Sequence, residues 1–224
     1  MPELLNSSTP IASTSVDATP AKPTVQSVLE KLFELHPHLF GAQFLPLKLG
    51  SFQELMARHP DRFDRGSLKA ALGVHTRSTR YLQSVAQGLP RHDLDGAVVE
   101  PVAVEHVCLS ILELFRRRQG RTRENLQPKV TAQLLQALEA SDLSRQDVLA
   151  TVLSADPVAQ GMLGAALDQR DALRAKREAL SRAFVASGKS LGEFADMYGL
   201  GPRDLGALSA ATAASPPNGT HSAI

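Results

Sequence analysis

Between Pro46 and Gly96 the chain spaces lysines, arginines, small hydroxyls and one tyrosine along short helical segments. Cations neutralise phosphates, hydroxyls bond phosphate or ribose oxygens and a ring stacks on a base, so this set suits a nucleic-acid backbone and one of its bases. The candidate contacts are Lys48, Lys69, Thr76, Arg77, Ser78, Arg80, Tyr81 and Arg91. Thr76-Arg77-Ser78-Thr79 makes a poor helix interior, because its hydroxyls compete for local backbone groups. The run predicts a break and a fresh helix start, whose unpaired N–H groups and positive dipole end would favour an anion. Arg80 and Lys69 would add charge-assisted bonds there, and Tyr81 a stacking ring or a hydroxyl for a ribose 2′-OH.

A second basic feature follows Phe115, where five arginines fall in eight residues, Arg116, Arg117, Arg118, Arg121 and Arg123. They are either solvated cations at a helix C-terminus or auxiliary phosphate contacts. Net charge does not decide the matter. The whole chain of 224 residues carries +1, and residues 24–118 hold twelve Lys and Arg against ten Asp and Glu. A basic surface must therefore come from segregation of charge.

Other chemistries are poorly supplied. His92 stands beside Asp93, but no activated nucleophile, metal-ligand set or phosphate loop accompanies the pair, so no enzyme activity is expected. The spacings of His36 and His38 around Pro37, and of His106 and Cys108, match no familiar zinc pattern, and neither metal nor cofactor is expected. A single cysteine excludes an internal disulfide. No apolar run approaches the roughly 20 residues of a membrane helix, and the N-terminus lacks the order of a signal peptide. The expectation is a cytoplasmic protein without a membrane partner.

The elements that must position these residues are read from periodicity. Residues 1–23 are rich in Ser, Thr and Pro and predict a disordered tail. Val25, Val28, Leu29, Leu32 and Phe33 predict a helix with Ser27 and Glu30 as a capping box and Pro37 as its stop. A second helix is expected from Ser51, capped with Glu54, and a third from Ser67 with Leu68, Ala71, Leu72 and His75 inward. Arg91 to Val99 reads as a hairpin with Asp95-Gly96 in a type I′ turn, and Pro101 opens a helix through Phe115. Beyond it, helices are expected over 129–140, 144–153, 157–187, 190–197 and 202–208, and residues 210–224 form another polar tail.

Pro46-Leu47-Lys48-Leu49-Gly50, Phe52-Gln53-Glu54-Leu55, Leu68-x-x-Ala71-Leu72, Thr76, Arg80-Tyr81-Leu82 and Arg91-x-Asp93-Leu94-Asp95-Gly96 together resemble the ProQ/FinO family of bacterial RNA-binding proteins. The resemblance implies a mainly α fold, a compact FinO-like helical domain with a small β-hairpin over 24–118. It further implies binding to the base of a terminator-like RNA hairpin and its single-stranded 3′ end. Family members are RNA chaperones and post-transcriptional regulators of small RNAs and messenger 3′ ends. Lys48, Lys69, Arg80, Tyr81, Arg91 and Asp95 match family positions. Gly73, His75 and Thr79 depart from them, standing where arginine, tyrosine and tryptophan are common.

A basic linker over 119–128 and an α-helical extension over 129–209 complete the expected organisation. The long helix carries Leu163, Leu167, Leu173, Leu180 and Phe184 on one side, so it could pack within the chain, pair with a partner helix or self-associate, or assist RNA electrostatically. The Ser190 to Leu208 segment has the layout of a helix-turn-helix but offers only Arg203 as a basic reader. The competing function is thus a protein-interaction or DNA-associated regulator working through the C-terminal helices.

Overall fold

The computed structural model describes residues 23–152, 156–202, 204–206 and 208. The two expected tails lie outside them except for Pro23, as does Arg203. Helix α1 (Val25–Leu35) begins one turn earlier than the Ser27–Glu30 box would place it, because the Thr24 hydroxyl accepts the Ser27 N–H. A single turn, α2 (Pro37–Phe40), starts on proline, where the missing N–H would be unpaired anyway.

Helix α3 (Ser51–Arg58) is capped by Gly50 at φ +85° and not by Ser51, whose buried hydroxyl donates 2.7 Å to the Lys48 carbonyl. Helix α4 (Arg65–Thr76) starts two residues before Ser67, since the Asp64 carboxylate accepts from both the N–H and the hydroxyl of Ser67. The expected break is present: α4 ends at Thr76 and α5 (Thr79–Ala86) begins with Ser78 accepting the Tyr81 N–H.

Strands β1 (Arg91–His92) and β2 (Val98–Glu100) pair antiparallel. Their connection is not the two-residue type I′ turn. Such a turn needs positive φ at both central residues, whereas only Gly96 has it here, at +82°. Asp93 instead closes the loop, its carboxylate accepting from Asp95 and Ala97 N–H groups.

Helix α6 (Val104–Gln119) lies on α5, and α7 (Gln127–Glu139) packs between α6 and α9 (Pro157–Ser187). Short α8 (Arg145–Thr151) is capped by Ser144, and α10 (Leu191–Tyr198) by a Ser190–Glu193 capping box. At 31 residues α9 is about 46 Å long. Of the 202–208 segment, the described positions 202, 204–206 and 208 are helical. The result is mainly α, with one two-stranded sheet among the described residues. Among the described residues no helix is long and apolar enough to cross a membrane.

Two cores hold these elements. Val28, Leu32, Leu39, Leu55, Leu68 and Leu94 centre the first, built from α1–α5 and the hairpin loop. The second joins α6 to the extension through Cys108, Ile111, Phe115, Leu134, Leu138 and Leu167. Each fully buried leucine contributes about 1.5–3 kcal/mol, so α7 and α9 are fixed on α6 by several such terms. Residues 119–128 accordingly include the end of α6 and the start of α7 and bring those helices side by side.

Candidate nucleic-acid interface

From Arg65 to His92 the chain holds five Lys and Arg and no carboxylate, Asp64 and Asp93 being the flanking acids. This gap was legible in the sequence and was masked by averaging charge over the longer segment. It maps onto α4, α5 and β1, and of its cations Arg91 is drawn inward and faces Glu100 at 3.6 Å, which leaves Lys69 and Arg77 as the open charges. Lys69 and Arg77 are exposed and have no acidic partner among the described residues. The Arg77 guanidinium lies 3.2–3.6 Å from the point where a side chain at Gly73 would begin. Glycine there leaves room for a guanidinium delivered from one turn further along α4.

Arg80 is also exposed, but its guanidinium turns inward. It donates to the carbonyls of Gly41 (3.3 Å) and Ala42 (2.5 Å) and sits 4.4 Å from the Phe44 ring centroid. It ties the 41–44 loop to α5 while keeping a charge at the surface.

Tyr81 and Arg91 meet on one residue of the backbone, Leu47. The Tyr81 hydroxyl accepts the Leu47 N–H at 3.1 Å, and Arg91 Nη1 donates to the Leu47 carbonyl at 2.9 Å. Pro46 and Lys48 complete the attachment, with His92 N–H donating to Pro46 O (2.7 Å) and Lys48 N–H to His92 O (2.9 Å). Tyr81 is 8% exposed, its ring set edgewise on His75 at 5.3 Å. Burial pushes its hydroxyl pKa up, and its hydrogen bond to Leu47 and the Arg91 charge oppose that shift. The expectation of an open stacking ring is corrected here: the ring is core, and its role is to hold the Pro46–Lys48 strap.

The hydroxyls are engaged as well. Ser78 caps α5, and Thr76 donates to the Leu72 carbonyl at 2.9 Å. That leaves the N–H groups of Thr79 and Arg80, in the first turn of α5, without helical partners. Lys48 forms a 2.7 Å ion pair with Glu54, which also pairs with Arg58, and Arg58 binds Asp95 through two bonds of 2.6 and 2.7 Å. Hydrogen bonding to Arg58 holds the Asp95 carboxyl below its usual range. Asp95 thus anchors the hairpin loop.

His36, His38, His59 and His75 are structural. His36 Nδ1 and His38 Nε2 both reach the Leu94 carbonyl, at 2.9 and 3.1 Å. A carbonyl only accepts, so both nitrogens carry protons, and neutral His36 must then accept from His59 Nε2 at 3.2 Å. Buried His75 lies against Phe40 and Phe44 at 4.6 and 4.4 Å, and burial, aided by the Arg80 charge, lowers its pKa to about 4. Among the described residues no group of three or more His, Cys, Asp and Glu is placed to hold a metal.

The arginine run divides. Arg116 and Arg117 both bond Glu113, whose pKa is pushed down to about 2, and Arg117 also reaches the Thr79 hydroxyl at 3.2 Å. Arg118, Arg121 and Arg123 are exposed, with no carboxylate partner among the described residues. Beside Tyr81, a cavity of about 330 Å³ opens between α5 and α6, lined by Val85, Arg91, His106, Ser110 and Glu113. This cavity, which Arg91 and His106 border through a 3.2 Å contact, was not foreseen from the sequence, because its walls come from α5, β1 and α6.

Residues 23–127 match the profile of the ProQ/FINO family. Over 124 aligned residues the chain is 33% identical to the RNA chaperone ProQ of Shewanella frigidimarina, an alignment covering 52% of this chain and 61% of that relative. The chain therefore spans less than two thirds of the relative's length. A crystal structure of a FinO-like RNA chaperone from Neisseria meningitidis is similar at 27% identity, covering 38% of this chain and 88% of that one, with a TM-score of 0.35.

Proposed function

We propose that the chain, whose residues 23–127 match the profile of the ProQ/FINO family, binds structured RNA and acts as an RNA chaperone and post-transcriptional regulator. Its substrate is the base of a terminator-like hairpin with its single-stranded 3′ end, as found on small RNAs and at messenger 3′ ends. The observation that carries this reading is the carboxylate-free stretch forming α4 and α5, with Lys69 and Arg77 exposed along α4 and its C-cap, and Arg80 in the first turn of α5. Phosphates of the stem lie along the cations and over the Thr79 and Arg80 N–H groups. The unpaired 3′ end turns into the cavity beside Tyr81, where Arg91, His106 and Ser110 offer donors to its ribose and phosphate oxygens. Tyr81 supports the wall of that cavity and does not stack.

The test compares a labelled hairpin carrying a 3′ tail with a DNA duplex of equal length, at one salt concentration, against the full chain. Tighter binding of the tailed RNA is expected. Replacing Lys69 and Arg77 by glutamine should lower the salt slope by about 0.9 for each phosphate left without its cation. Equal affinity for the RNA and the duplex DNA overturns the reading.

A further inference from the structure

A second groove lies on the other side of the α5–α6 pair, where α7 closes it. Its cavity of about 290 Å³ carries Arg117, Arg118, Arg121 and Lys129 along its walls, and no carboxylate lines it. Gln83 and Gln133 face the same space from α5 and α7. Arg118, Arg121 and Lys129 have no acidic partner among the described residues, so their charge is available to a ligand. Phe115 and Val130, buried in the second core, supply an apolar floor. Unpaired cations, side-chain amides and an apolar floor match one class of ligand, a single-stranded nucleotide segment, whose phosphates take the cations while a base packs on the floor and bonds the amides. A duplex would present its bases to neither.

The groove is also joined to the RNA site proposed above. Arg117 bonds Glu113, on the wall of the cavity beside Tyr81, and Thr79, on the wall of this groove. A strand crossing the α5 start would pass from one to the other beside Arg117. Resting on the RNA-binding reading above, we infer that the α5–α6–α7 groove is a second RNA subsite, holding unpaired nucleotides that flank the bound hairpin. The helical extension then takes part in RNA recognition, because Lys129 and Gln133 belong to α7.

The experiment uses the full chain and two RNAs, one hairpin with a 3′ tail alone and the same hairpin with an added single-stranded 5′ flank. A triple variant, Arg118→Gln, Arg121→Gln and Lys129→Gln, changes exposed side chains, and circular dichroism verifies its fold. The flanked RNA should bind the variant about tenfold less tightly, with its salt slope reduced by about two to three, while the unflanked hairpin changes by less than about twofold. Independently, 4-thiouridine in the flank should cross-link to the 127–133 peptide of the wild type. Equal losses on both RNAs would show a general field effect and overturn the subsite, as would cross-links confined to residues 46–92. If wild-type protein fails to distinguish the hairpin from duplex DNA, the RNA reading falls and the subsite with it. Normal hairpin binding with an unchanged triple variant sinks the subsite alone.

Discussion

Replacing Tyr81 by phenylalanine separates a structural tyrosine from an RNA-stacking one. The substitution keeps the ring on His75 and removes only the hydroxyl that accepts the Leu47 N–H at 3.1 Å. Tyr81 and Leu47 are 8% and 6% exposed, so water cannot readily replace that acceptor. An orphaned buried N–H costs about 1–3 kcal/mol. For a chain of this size each kcal/mol moves Tm by about 2–4 °C, giving an expected fall of about 2–12 °C. Urea unfolding should show a lower midpoint with an unchanged slope, since the surface exposed on unfolding stays the same. A ring acting as a stacking platform predicts the opposite pattern, full stability and full tail dependence in the phenylalanine variant. The reasoning is refuted if Tyr81→Phe unfolds with the wild type, in favour of a stacking ring if the preference for a tailed hairpin is kept and of a hydroxyl contact to RNA if it is lost.

Three further outcomes follow from buried or strained positions. His75 has a folded pKa of about 4 against an ordinary 6.5, so the unfolded chain binds the extra proton between those values. Stability should therefore be greatest above pH 6.5 and fall by about 2 kcal/mol on going to pH 5; His75→Phe should flatten that limb in calorimetry, leaving the smaller contribution of buried His36, whose pKa is also lowered. Gly73→Ala meets only the mobile end of Arg77, so helix propensity should dominate and raise stability by about 0.5–1 kcal/mol in thermal unfolding. Gly96→Ala should do the reverse, losing more than about 1 kcal/mol, because φ is +82° and the added carbon would lie 2.8 Å from the His38 ring.

Local rules located most of the helices and missed several of their ends by up to about one turn. Thr24 and Asp64 won the caps expected at Ser27 and Ser67 because each places an oxygen within reach of the N–H three residues on. The break at Thr76–Ser78 was legible because consecutive hydroxyls favour a cap, and Ser78 is that cap. The hairpin turn type was not, since Asp95-Gly96 fits two geometries and the choice falls to Asp93 and the Arg58–Asp95 bonds, the latter 37 residues apart in the chain. Candidate contacts were legible as residue types but not as exposures. Lys69, Arg77, Arg118, Arg121 and Arg123 stand open. Tyr81 and Arg91 close on Leu47, 34 and 44 residues before them, a pairing that no local period encodes.

Charge pairing explains how a chain of net charge +1 can still present a polyanion site. In the extension, Arg145 bonds Asp168 and Asp171, Arg170 bonds Asp171, Arg177 bonds Glu139 and Arg182 bonds Glu178. Those cations are neutralised within a few ångströms, well inside the Debye length of about 8 Å at physiological salt. Lys69, Arg77, Arg118, Arg121 and Lys129 have no such partner among the described residues. Four acids, Glu139, Asp168, Asp171 and Glu178, are taken up in these pairs, while the unpaired cations just named stand on α4 and along the α5–α6–α7 groove and set the local field there. A polyanion senses that local field and not the sum over the chain. Packing α7 onto α6 thus does two things at once: it completes the second core, and it brings Lys129 to the groove beside Arg117, Arg118 and Arg121.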